Sequence, residues 1–82
     1  MSGAVGTRVV SDLPGSAFER GIYLATGRSG QVNLIEAHKW FNIAAAKGDR
    51  RAAQHRDELA SEMTREEVAA ALRAAREWVT RH

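Results

Sequence analysis

The sequence predicts an all-α fold, two antiparallel helical hairpins stacked as a short α/α repeat behind a flexible N-terminal arm. Three observations predict it. Ser16 stands three residues before Glu19, Asn33 before Glu36 and Thr64 before Glu67. At that spacing an N-cap oxygen accepts from the N3 amide and the N3 carboxylate reaches back to the N-cap amide. Gly27, Gly30 and Gly48 fall where such helices must stop, because glycine enters the left-handed C-cap conformation without a Cβ clash. Between these starts and stops, apolar residues recur at i, i+3, i+4 and i+7, the pattern of helices that pack on helices.

The elements follow in order. Residues 1–15 are small, Gly-rich and aperiodic, and read as an arm in which Val9 and Val10 are candidates for a short strand or strap. The first helix is expected over 16–27, with Phe18, Ile22 and Ala25 on one side and Ala17, Gly21 and Leu24 alongside. Asp12 is a rival cap, but it would leave Gly15 inside the helix at a cost of about 1 kcal/mol. The second helix is expected over 34–47, lined by Ala37, Trp40, Phe41, Ala44 and Ala45. Lys47 suits the negative end of its dipole. Asp49 caps a third helix over 50–63, lined by Ala52, Leu59, Ala60 and Met63. Thr64 ends it and caps a fourth over 65–80, lined by Val68, Ala71, Leu72, Ala75, Trp78 and Val79. Short loops make neighbours antiparallel.

Length and composition bound the function. Eighty-two residues make one domain with a small core, since so short a chain buries only about 60% of its unfolded surface. There is no cysteine, so no disulfide staples the chain and no thiolate serves as ligand or nucleophile. The basic side is ten Arg and two Lys against ten carboxylates, giving a net charge of +2 and a pI near 9.7. Mixed signs weigh against nucleic acid, which needs a one-signed stripe. A small basic helical module that binds nucleic acid is the alternative reading. No signal segment or apolar run of membrane-spanning length appears, so a cytoplasmic protein is expected.

The two hairpins share a rough period. Ala37, Trp40 and Phe41 align with Ala75, Trp78 and Val79 at an offset of 38, and Ala17 to Arg20 with Ala53 to Arg56 at an offset of 36. Gly21, Gly27, Ala37, Trp40, Ala44-Ala45, Gly48 and Ala52 together carry a specific pattern. With these residues, 17–53 resembles the Sel-one-like repeat, a relative of the tetratricopeptide repeat. The departures are Arg20 where the family has Leu, Leu24 where it has Tyr, Ser29 where it has a loop glycine, and Asn33 where it has Asp. Residues 53–82 read as a degenerate capping hairpin, because Met63 to Glu67 replace the Gly-rich loop.

The resemblance implies a scaffold or adaptor that binds another protein on the face lined by the first helix of each hairpin. Arg20, Tyr23, Leu24 and Arg56 are the expected partner-binding residues, with Trp78 at the end. Trp40 is expected in the core. So few repeat units bury their apolar faces incompletely, which predicts self-association, a two-fold dimer favoured, through the fourth helix or the open face. No enzyme activity, cofactor, metal, membrane partner or small-molecule substrate is expected. His38, on the outer face of the second helix, His55 and His82 lack metal-ligand spacing. Arg73, Glu77 and Arg81 make an i, i+4 ladder. Arg50 and Arg51 oppose the dipole of the third helix, which calls for a carboxylate from outside or from Asp49.

Overall fold

The computed structural model describes residues 15–28 and 30–81, which form four α-helices. They are α1 (Ala17–Ala25), α2 (Leu34–Ala46), α3 (Arg50–Ala60) and α4 (Arg65–Arg81). Asp12, Val9, Val10 and the rest of 1–14 lie outside the described residues, as do Ser29 and His82.

The helix starts follow the capping chemistry. Ser16 Oγ accepts from the Glu19 amide at 3.0 Å and Glu19 Oε1 accepts from the Ser16 amide at 3.5 Å. Ser16, not Asp12, therefore caps α1. Thr64 and Glu67 make the same reciprocal pair at 3.1 and 2.8 Å. Asn33 makes half of it: its Oδ1 accepts from the Glu36 amide at 3.0 Å, while the Glu36 carboxylate turns to the Lys39 ammonium at 3.2 Å. Asp49 caps α3 by accepting from the amides of Arg51 and Ala52.

Two helices stop at least two residues earlier than expected. α1 gives way at Thr26, whose hydroxyl donates to the Ile22 carbonyl at 2.8 Å, and the chain then turns through Gly27 at φ +81°. α3 stops at Ala60, and the Ser61 hydroxyl donates to the Glu58 carbonyl. Met63 belongs to the turn that follows. Hydroxyls that bond a carbonyl three or four residues back compete with the helical ladder in this way.

α2 is the hub. The extensive helix–helix packing is α1 on α2, α3 on α2 and α4 on α2. α1 runs antiparallel to α2, and the Asn33 amide donates to the Leu24 carbonyl at 3.0 Å across their loop. α3 also runs antiparallel, with Asp49 N–H on the Ala44 carbonyl and Arg56 on Asn42 farther along. α4 runs parallel to α2: Glu67 lies beside Leu34 and Ile35 at one end, and Val79 beside Ala46 at the other. α3 and α4 thus lean chiefly on α2 rather than on each other.

Two apolar clusters share α2. Ala37, Phe41, Ala44 and Ala52 form one, filled by Phe18, Ile22, Leu24 and Leu59. Trp40, Ile43 and Ala75 form the other, with Trp78, Ala17 and Leu24. Gly21 is the close approach: a Cβ there would stand 2.5 Å from the Phe41 ring. A helix covered on several sides has little outer face, and this corrects one expectation. His38 is buried, not exposed, at 2% of its surface. α4 shows the reverse, because α2 covers one side of it. Ala71 and Ala75 are buried, while Leu72 and Val79 are 38% and 55% exposed.

Candidate functional site

The candidate site is a cationic, aromatic surface around Trp40 and Trp78. Trp40 stands on α2 with its indole nearly covered. Trp78 of α4, half-buried, meets it edge-on with ring centroids 5.1 Å apart. On α1, Ala17, Arg20 and Leu24 recur at i, i+3 and i+7 and so face the same cluster. The Arg20 guanidinium lies 4.7 Å from the Trp40 ring centroid and the Lys39 ammonium 4.6 Å. Lys47 lies 5.8 Å from the Trp78 ring. Each such contact contributes about 0.5–2 kcal/mol, more where water is excluded. Glu36 holds Lys39 at 3.2 Å, which fixes its ammonium over the ring. Beside Trp78 a shallow depression is lined by Lys39, Ala74, Glu77 and Arg81.

Arg20, Leu24 and Trp78 therefore converge on Trp40, whereas Tyr23 is half-buried on α1 and Arg56, on α3, reaches α2 elsewhere, at Asn42. Arg56 donates from Nη1 to Asn42 Oδ1 and from Nε to Asp57, each at 3.1 Å. The five expected residues do not make one surface. Arg20 stacks on an indole, whereas Arg56, 36 residues later, ties α3 to α2.

Sequence reasoning missed a second aromatic group. Phe18, Phe41 and His55 pack together, with His55 stacked on Phe41 at 5.2 Å and edge-on to Phe18 at 5.4 Å. Arg51 covers Phe18 at 4.0 Å. The carboxylate that Arg51 needs is Asp49, at 2.9 and 3.2 Å. This pairing lowers the Asp49 pKa. Arg73, Glu77 and Arg81 make no ion pair with one another.

His38 is the other group that sequence reasoning did not foresee. Its Nδ1 has no hydrogen-bond partner among the described residues. Burial pushes its pKa down and the Arg56 charge adds to this, with Asp57 opposing. The imidazole is held neutral. The described residues contain no group of three His, Cys, Asp or Glu able to hold a metal. Among them no helix is long and apolar enough to cross a membrane. The hydroxyls of Ser16 and Ser61 are engaged at helix ends.

An indole edge with lysines and arginines around it suits a ligand that is apolar at its centre and anionic at its rim. Comparison of the chain with protein-family models, curated proteins and solved structures finds no match.

Proposed function

We propose that this chain is a non-enzymatic protein-interaction module, a small scaffold or adaptor of the Sel-one-like repeat type, which acts in the cytoplasm and also pairs with itself. The observation that carries the reading is the convergence of Arg20, Lys39 and Lys47 on the paired indoles of Trp40 and Trp78. Aromatic residues and arginine, centred and partly desolvated, are the groups that dominate protein interfaces. The repeat reading draws support from the roles of its small residues. Gly21 lies against Phe41, and Ala37, Ala44 and Ala52 are buried where helices meet. On this reading α1 and α2 form the well-matched hairpin, and α3 and α4 the degenerate pair stacked on it. The partner segment is acidic, with an apolar side chain directed at Trp78.

The test is affinity capture with the full chain and with Lys47→Glu, followed by mass spectrometry and titration of each recovered protein by tryptophan fluorescence. Lys47 is exposed at the C-cap of α2, so its reversal costs about 0.3–1 kcal/mol against the helix dipole, which a circular-dichroism melt reads separately from binding. A partner bound by the original and about tenfold more weakly by the variant supports the reading. Equal binding by both removes this surface from it.

The same stacked cations favour a second reading, nucleic-acid binding, because bases stack on indoles and phosphates pair with Arg and Lys. It predicts a gel shift with single-stranded RNA at low salt that disappears as salt rises. The mixed charges of α3 and α4 weigh against it.

A further inference from the structure

Leu72 and Val79 are exposed on the side of α4 that lines a groove of about 300 Å³. Asn42, Ile43 and Ala46 of α2 face them across it, and Arg76 stands between them along α4. The two apolar residues are one heptad apart, so they form a stripe along one side of the helix.

The charges beside this stripe are sorted by end. Glu58, Glu62, Glu66 and Glu67 gather where α3 stops and α4 begins and outnumber Arg65 there. Lys47, Arg50 and Arg81 lie toward the other end, where α2 stops and α3 begins, and outnumber Glu77 there, while Arg73 and Arg76 stand along the middle of α4. With 17 residues in α4, the ends stand about 25 Å apart. That is some three Debye lengths at physiological salt, so neither end neutralises the other within one molecule. Asp49 answers Arg51 locally and Arg56 answers Asp57. Arg50, Arg73, Arg76 and Arg81 remain exposed, with no ion pair among the described residues.

A two-fold axis across α4 reverses the helix direction. Each acidic end then lies toward Lys47, Arg50 and Arg81 of the other copy while the Leu72 and Val79 stripes meet at the centre. Parallel pairing would set like charge on like. A foreign partner would have to supply both an apolar stripe and a reversed charge gradient, and a second copy of this chain already carries both. We propose that the α2–α4 groove, with Leu72 and Val79, is the seat of antiparallel two-fold pairing between copies of this chain. The proposal rests on the self-association in the reading above, not on the adaptor role.

Sedimentation equilibrium of the full chain over a concentration series tests it. The original chain should dimerise, and Val79→Asp should weaken the dimer about a hundredfold, because symmetry places two charges in one apolar seam. Its circular-dichroism melt at the lowest concentration should match that of the original. Glu62→Lys with Glu66→Lys should weaken pairing about tenfold, as should Arg50→Glu with Arg81→Glu, and an equimolar mixture of the two should recover it. A mixture that stays monomeric overturns the antiparallel sense. A dimer indifferent to all three variants overturns the face while self-association stands. An original chain that is monomeric at high micromolar concentration overturns both. A monomer whose melt falls with Val79→Asp means that residues 1–14 or another part of the chain cover the stripe, and this also overturns the proposal.

Discussion

α1 meets α2 through a glycine set against a phenylalanine ring, whereas α4 meets it through alanines and the edge of a tryptophan. On the first side Gly21 leaves room for Phe41 and for nothing larger, and Phe18 and His55 close the ring group from α1 and α3. On the second side Ala71 and Ala75 bring α4 close, yet Leu72 and Val79 stay exposed. The α1–α2–α3 side is closed and specified by shape. The α4 side is open and keeps apolar surface exposed at Leu72 and Val79. Close packing and exposed apolar surface are thus separated across one helix.

Truncation should break the two sides unequally. Phe41 is 1% exposed and touches side chains from both α1 and α3, so Phe41→Ala should destabilise by about 3–5 kcal/mol. Trp78 is half-buried, and Trp78→Ala should cost about 2 kcal/mol by its smaller burial. Urea titrations followed by circular dichroism measure both. Equal losses would erase the contrast between a closed and an open side.

Adding one methyl group sharpens the same contrast. Gly21→Ala improves intrinsic helix propensity by about 1 kcal/mol. The new Cβ would nevertheless stand 2.5 Å from Phe41, and overpacking of this kind costs about 1–3 kcal/mol. The net prediction is a lower melting temperature. Phe41→Leu in the Gly21→Ala background should then cost less than the sum of the two single losses, because both act on one contact. Strict additivity would mean that the glycine serves something other than the ring.

Much of the local structure was legible because it is written in local chemistry. Ser16-Glu19 and Thr64-Glu67 set helix starts, and glycine at positive φ set the turns at 27 and 48. The tertiary choices were less legible. Periodicity marks an apolar stripe but not which helix covers it, so α4 was expected on α3 and packs chiefly on α2. His38 looked external because a single-faced helix was assumed, and α2 has neighbours on several sides. The meeting of Trp40 with Trp78 joins residues 38 apart in sequence, a distance at which spacing is silent. The Lys47 stack on Trp78 depends on the same packing of α4 against α2 and was hidden with it.

The smallest expected effect concerns pH, and it probes the closed side alone. His38 has a folded-state pKa lowered by burial and by Arg56. The unfolded chain, with an ordinary histidine near 6.5, therefore binds a proton first as pH falls. Stability from this group is complete above about pH 6.5 and declines below it, by at most about 1.4 kcal/mol per pH unit. His38→Leu should flatten that decline and leave stability near neutral pH equal or higher, since it removes a buried nitrogen with no partner among the described residues. Because Arg56 and Asp57 of α3 are the charges that act on His38, acid should loosen α3 before α4. Amide hydrogen exchange at pH 5.5, compared with pH 7 and corrected for the intrinsic rate, should show protection falling first across Arg50–Ala60. Equal loss in Arg65–Arg81 would mean that α2 transmits the protonation to both sides, and the separation between them would fail at its weakest point.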